Sequence, residues 1–259
     1  VIVVDDGSED GTRDVMEIFK KMDNRIKYIK IVHSGGAAKP KNQGIRASRG
    51  EYIAVLDSDD EWMPTKLEEQ VNFFKADLSQ NIGFVGCDML IVDEKKKQQY
   101  YWKTKFYENV LGNILVEDYM GSGSCMLYKK AVFDKVGYFD ERLTHAQDWE
   151  MRIRLCQKYR FGFVDKALVR YYLHKGSVTS SLNYNTREKD LMYIYDKWKK
   201  VYSDNPGYNC RRIAGDGIRF LKKGKIRKAL GFFAKALKIS PVITMHHMAK
   251  KIIKKLITV

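Results

Sequence analysis

The stretch Tyr52-Ile53-Ala54-Val55-Leu56-Asp57-Ser58-Asp59-Asp60 is the one on which the fold turns. A short, mostly apolar run reads as a buried strand, and acids at its carboxyl end fall where open α/β sheets bind ligands. Carboxylates this close repel one another and raise each other's pKa unless a cation sits among them. A hard divalent ion, Mg²⁺ or Mn²⁺, bridging to phosphate oxygens meets that need. The competing reading is a strand followed by an acidic turn in which Asp59 or Asp60 caps the next helix.

Upstream, Val1-Ile2-Val3-Val4 is a β-branched run that reads as another buried strand and ends in Asp5-Asp6-Gly7-Ser8. Asp6 needs a partner there, either a ligand N–H or the backbone amides of its own turn. A strand over residues 26–32 leads into a Gly-rich, basic loop, His33 to Gly44, that runs into a helix. Lys39 and Lys41 in this loop are either phosphate contacts or solvated side chains, and Lys39 reads better as solvated. Downstream the pattern predicts a helix over residues 66–74, a strand over 82–92, and a half-exposed aromatic segment over 100–107. A strand follows Gly121-Ser122-Gly123-Ser124, and a helix starts at Asp148. Asp148 is either the helix cap or a general base held at a helix entrance. His174 follows one or two strands within residues 161–172, as a structural imidazole or one that reaches a metal or diphosphate.

The 259 residues suffice for one large domain with an appendage, and a hydrophobic fraction of 44% can supply its core. No run approaches the roughly 18 apolar residues of a membrane span. Cys87, Cys125, Cys156 and Cys210 are far apart, which argues against a zinc site and suits free thiols in a reducing compartment. The net charge of +15 is concentrated: residues 183–259 hold 19 Lys and Arg against 5 Asp and Glu. The domain division expected is therefore 1–182 and 183–259, with a phosphate-rich partner for the tail alone. Within the tail, Gly217, Phe220, Gly224, Ala229, Phe233, Ala236 and Pro241 have the spacing of one tetratricopeptide-like helix pair, which cannot bury its own face and must pack on something else. At 100° per residue, Met245, Met248, Ala249, Ile252, Ile253, Leu256 and Ile257 share one side of a last helix, and Lys250, Lys251, Lys254 and Lys255 the other. A basic amphipathic helix suits an anionic membrane surface; a helix docked on the protein with a solvated lysine face is the alternative.

The ordered set Val4-Asp5-Asp6-Gly7-Ser8-x-Asp10-x-Thr12, Asn42-x-Gly44-Ile45, Gly50-Glu51-Tyr52-Ile53, Leu56-Asp57-Ser58-Asp59-Asp60, Phe139-Asp140-Glu141 and Gln147-Asp148-Trp149-Glu150 resembles the family 2 glycosyltransferases of the GT-A fold. The resemblance covers about residues 1–180, with the family's first strand absent before Val1 and Lys41 where the family commonly has Arg. It implies an α/β fold, Rossmann-like, with a mixed, mostly parallel sheet and a C-terminal helical appendage. It implies inverting transfer of a sugar from a nucleotide-diphosphate sugar, a UDP-sugar foremost, to a glycan or lipid-linked acceptor in polysaccharide or cell-envelope synthesis. The setting implied is cytoplasmic and peripheral at the inner face of the membrane. By resemblance Asp6 contacts the nucleobase and Lys41 lies near the nucleotide. Asp57, with Ser58, binds the ribose or nucleotide, Asp59 ligates Mn²⁺ or Mg²⁺, and Asp148 is the catalytic base; His174, read from its own place after a strand end, is the further candidate metal ligand. Three rival readings exist: a phosphatase of the haloacid dehalogenase type, for which Glu61 is the wrong residue; a non-catalytic transferase fold that binds saccharide or membrane; and a nucleic-acid binder, for which no recognised module is present.

Overall fold

The computed structural model describes residues 1–79, 81–105, 107–174 and 184–257, with side chains for all of these except 184, 185 and 251–257. The chain divides into two compact units. One comprises Val1–Phe106 with Met120–Met192, and the other Tyr107–Tyr119 with Tyr193–Val259.

In the first unit, β1 (Ile2–Asp5) and β2 (Lys27–Lys30) form a parallel pair joined through helix α1 (Thr12–Met22). Helix α2 (Ala38–Ala47) lies against β1, with Gly44 facing Val4: a Cβ there would sit 3.5 Å from the Val4 side chain, an ordinary contact. The apolar run that opened the sequence reading becomes β3 (Tyr52–Ala54). It ends two residues short of Leu56, because its antiparallel neighbour β7 (Leu127–Lys129) is itself only three residues long. Chain direction reverses through the acidic turn, and Asp60 opens another strand, β4 (Asp60–Trp62). Helix α3 (Lys66–Ala76) starts only after that strand, so neither Asp59 nor Asp60 caps it.

The larger sheet runs β3-β7-β5-β8-β4, with β5 (Ile82–Asp93) and β8 (Arg160–Leu173) at its centre and β6 (Gln98–Trp102) on the edge of β5 beyond β7. β5 and β8 pair in parallel, with register shifts near Cys87 and Asp88. β3 with β7, β5 with β7, β5 with β6 and β4 with β8 are antiparallel. The sheet is mixed, as expected, but parallel pairs do not predominate among the described strands. The reason is local: β4 follows β3 through a tight turn and β6 follows β5 as a hairpin, and such short connections join only antiparallel strands or different parts of a sheet. The core lies on β5, β7 and β8, where Phe84, Val85, Cys87, Met126, Tyr128 and Val169 are buried. Helix α6 (Gln147–Cys156) contributes Met151, Ile153 and Leu155 to the core of this unit; Ile153 lies on the side opposite Met151 and Leu155, so the helix is buried nearly all round.

In the second unit, α9 (Pro206–Leu221) and α10 (Ile226–Ile239) form an antiparallel pair. Gly217 lets Phe233 approach so closely that a Cβ would lie 2.5 Å from the ring, and Ala229, Phe233 and Ala236 are buried at this contact. Around α9 pack α4 (Val110–Val116), α8 (Lys199–Asp204) and α11 (Pro241–Ile257). A small apolar cluster of Cys210, Ile213, Ala214 and Ala236 is covered by Phe232 and Met248. The polar turn expected after His174 and the side chains from Lys251 onward, with the last turns of the amphipathic pattern, lie outside the described residues. Among the described residues no helix is long and apolar enough to cross a membrane.

Candidate active site

Three elements of the first unit bring charged groups to one place. Lys41 comes from the first turn of α2, Asp57 from the turn after β3, and Asp148 from the first turn of α6. The Lys41 Nζ stands 3.3 and 3.4 Å from the two Asp148 carboxylate oxygens and 3.5 Å from Asp57 Oδ1. Its side chain is 8% exposed and its Nζ lies 5.7 Å from the centre of the Phe139 ring. Burial alone pulls the ammonium's pKa down, but Asp148 and then Asp57 outweigh it and leave Lys41 more firmly protonated than usual. For Asp148, burial pushes the carboxyl up; the Lys41 ammonium and the Arg152 guanidinium outweigh it and hold the pKa below the ordinary value. The position of Asp148 at a helix N-terminus also favours its anion. Asp148 is not the cap of that helix, since Ala146 occupies that place.

A turn that sequence reading left without a pattern lines this cluster. Its Gly123 faces the ion pair: a Cβ there would lie 3.0 Å from Lys41 Nζ and 3.5 Å from Asp148 Oδ2. Ser124 Oγ accepts the Asp57 backbone N–H at 3.0 Å. The turn is held by its own carbonyls. Arg152, one helical turn beyond Asp148, donates to Gly121 O and Ser122 O, Trp62 Nε1 to Ser124 O, and Gln70 Nε2 to Cys125 O. Buried Lys66 in turn donates to Gln70 Oε1 at 2.7 Å, and its desolvation lowers its pKa to about 8. The run Gly121-Ser122-Gly123-Ser124 was the only signal available, and it marks a turn without telling what the turn faces.

Two further supports were not legible. Asn42 is buried and ties α2 to the Phe139-Asp140-Glu141 segment, donating to Phe139 O and Glu141 Oε1 and accepting the Phe139 N–H. Asp190, on α7 (Tyr184–Lys197), accepts the backbone N–H groups of Thr144 and His145 just before α6.

Within the fold Asp6 is met not by the amides of its own turn but by the loop after β2. Its carboxylate accepts both the N–H and the hydroxyl of Ser34 at 2.9 Å, and His33 Nδ1 stands 3.3 Å away. The Gly7 turn beside it has φ +82°, and a Cβ there would collide with His33. Its neighbour Asp5 is the more deeply buried. Hydrogen bonds from Ser8 and then Tyr28 lower its pKa to about 2. Ser58 is exposed at the tip of the acidic turn.

Asp59 and His174 do come together, 115 residues apart in sequence, with Oδ2 and Nε2 at 3.0 Å. Beside them Asp60 is 7% exposed, and neither of its carboxylate oxygens has a hydrogen-bond partner. Burial, with Asp57 and Asp59 near, pushes its pKa up to about 6 despite the adjacent Ser124 hydroxyl. Among the described residues no three His, Cys, Asp or Glu side chains converge as a complete metal cage. The Asp59 carboxylate, the His174 imidazole brought to it from the end of β8 and the buried Asp60 carboxylate next in the chain nevertheless fit a Mg²⁺ or Mn²⁺ ion that takes its remaining ligands from phosphate and water.

Comparison with known proteins bears on the family and the fold. The chain is 42% identical over 213 residues to the glycosyltransferase GlyG of Streptococcus pneumoniae serotype 4 (strain ATCC BAA-334 / TIGR4), covering 76% of this chain and 68% of that protein. Across four other curated relatives it spans 46% to 71% of their lengths. The fold is that of S. aureus TarS 1–349 in complex with UDP-GlcNAc, with a TM-score of 0.68 at 18% identity over 96% of this chain and 78% of that one. It is also that of the mannosyltransferase PcManGT from Pyrobaculum calidifontis in complex with GDP-Man and Mn²⁺, with a TM-score of 0.59 at 16% identity over 99% of this chain and 71% of that one. The sequence profile of glycosyl transferase family 2 matches residues 1–137, and the phosphatase alternative falls with it: the chain belongs to glycosyl transferase family 2.

Proposed function

We propose that the protein transfers a sugar from a nucleotide-diphosphate sugar, a UDP-sugar foremost, to a glycan or lipid-linked acceptor, with inversion and with the help of Mn²⁺ or Mg²⁺. The observation that carries this reading is the convergence of Asp57, Lys41 and Asp148 from three separate elements. Asp57 and Ser58 hold the nucleotide, and Asp6 borders it. Asp59 and His174 hold the metal, which when bound neutralises the departing diphosphate. Asp148 accepts the proton of the acceptor hydroxyl as that oxygen attacks the anomeric carbon from the face opposite the diphosphate. Lys41 offsets negative charge at the same place. Polysaccharide or cell-envelope assembly is the setting we favour.

The direct test is calorimetric titration of UDP with and without Mn²⁺. Metal-dependent binding is expected, with a loss of at least tenfold in affinity in Asp59→Ala. If neither UDP nor GDP binds under any metal condition, the fold is serving as a non-catalytic module and the reading is wrong.

The second unit suits attachment at an anionic membrane surface. Ile226, Leu230, Val242 and Met245 are exposed among a strong excess of lysine and arginine. Apolar side chains with basic neighbours bind where lipid headgroups are negative. The protein is expected to sediment with phosphatidylserine-containing vesicles and to stay in solution with phosphatidylcholine alone. Equal behaviour toward both would remove the membrane from the proposal.

A further inference from the structure

The position of the Lys41 ammonium has a meaning beyond charge balance. Its three oxygen neighbours stand at 3.3, 3.4 and 3.5 Å, two on Asp148 and one on Asp57. Charge-assisted N–H···O bonds run at about 2.7–2.9 Å when the partners are free to close. The ammonium therefore sits between two carboxylates and is tightly bonded to neither. It is enclosed by Phe139 and Gly123, so it has little room to leave except along the line joining the two acids. One end of that line is the residue we assign to the nucleotide, and the other is the residue we assign as base.

We propose that Lys41 is a latch: it is shared with Asp148 while the donor site is empty, and turns toward the donor diphosphate when the site fills, so that Asp148 becomes a competent base only on the loaded enzyme. This rests on the transferase reading above. A carboxylate beside an ammonium is a poor proton acceptor, because protonation would strip the cation of its partner. A diphosphate brings more negative charge than Asp57 alone and competes for the same three N–H donors. Once Lys41 turns, Asp148 faces Arg152 on its own helix and the backbone of the Gly123 turn. Beyond Asp148, the titratable groups that act on the Lys41 ammonium are Asp57 and Tyr128. In the reaction the acceptor O–H proton passes to Asp148, the new C–O bond forms at the anomeric carbon, and the C–O bond to the diphosphate breaks with its electron pair leaving on the phosphate oxygen. The latch makes the order compulsory: donor first, then activation of the acceptor.

Linkage makes the idea measurable. If donor binding takes Lys41 away, Asp148 binds a proton more readily in the complex, so nucleotide binding near pH 5 is accompanied by proton uptake at Asp148. The experiment is titration of UDP with Mn²⁺, and of GDP in parallel, in two buffers of different ionisation enthalpy. The nucleotide's own proton release cancels between the wild type and Asp148→Asn, which keep the same ammonium at Lys41. Uptake is expected in the wild type, to vanish in Asp148→Asn, to vanish in Lys41→Met, where Asp148 is already protonated before binding, and to persist in Lys41→Arg. Identical proton balance in wild type and Asp148→Asn, or uptake that persists in Lys41→Met, would overturn the latch and leave Lys41 a fixed counter-ion. If Lys41→Met does not fold, the comparison of wild type, Lys41→Arg and Asp148→Asn still decides. Failure of both nucleotides to bind would instead refute the transferase reading, and the latch with it.

Discussion

Replacing Asp148 with Asn is expected to lower the transfer rate by about 10²–10⁴-fold, the range that a positioned general base contributes, while nucleotide binding is retained. Asn keeps the size of the side chain at the first turn of α6, and it can still face Lys41 and Gly123. What it loses is the charge and the capacity to take a proton. The loss should fall on kcat with the donor KM little changed, because the acceptor's proton moves only in the transition state. Donor affinity should stay level or rise, since the ammonium of Lys41 then has one competitor fewer, Asp57 alone at 3.5 Å. The measurement is release of UDP from a UDP-sugar at saturating acceptor, alongside calorimetry of UDP binding. A loss of less than about tenfold in kcat would place the base elsewhere, and an equal loss in binding and turnover would make Asp148 a structural residue.

The elements that frame this site were legible because each is short-range. β-branched residues at Val1 to Val4 and the acidic end of the Tyr52 run are local patterns: the first becomes β1 of the two-stranded sheet, half-buried rather than buried, and the second leads to β3 at the edge of the larger sheet. Asp148 at a helix start could be read from its neighbours alone. His174 is singled out from its place after a strand end and Asp59 through the family resemblance, and the fold brings them into contact by placing β4 beside β8. What stayed hidden depended on distant chain. Asp60 reads as one more exposed acid of a turn; only pairing of β4 with the end of β8 buries it without a partner. Gly123 and Ser124 look like any Gly-Ser turn until Arg152, Trp62 and Gln70 aim the turn at Asp57 and Asp148. The overestimate of parallel pairing has the same origin. Alternating helix and strand patterns predict crossovers, but the strands that tipped the balance, β4, β6 and β7, are each five residues or fewer and declare no direction in sequence.

The largest stability effect is expected from Arg154→Met, at about 3–5 kcal/mol, the cost of breaking a buried ion pair by removing one of its members. Glu150 is fully buried on α6, and Arg154, one turn later, grips it through Nε and through Nη2 at 2.8 Å. The same guanidinium donates to the carbonyls of Val136 and Tyr138, on either side of Gly137, whose φ of +81° makes the sharp exit from helix α5 (Ala131–Val136). Methionine fills the volume and offers none of these donors, so a buried carboxylate and two carbonyls each lose a donor together. The Glu150→Leu/Arg154→Met double variant is expected to recover part of the loss, because it removes the buried charge along with the guanidinium. Urea denaturation of the wild type, Arg154→Met, Glu150→Leu and the double variant gives the coupling directly, and an Arg154→Met loss below about 1 kcal/mol would show that the pair contributes little. The consequence for the site follows from the chain path. Tyr138 leads directly into Phe139, which Asn42 binds on both its N–H and its carbonyl and whose ring lies near the Lys41 ammonium. Loosening the Gly137 exit should therefore reach Lys41 before the fold is lost, and donor affinity should fall at urea concentrations where far-ultraviolet circular dichroism is still native.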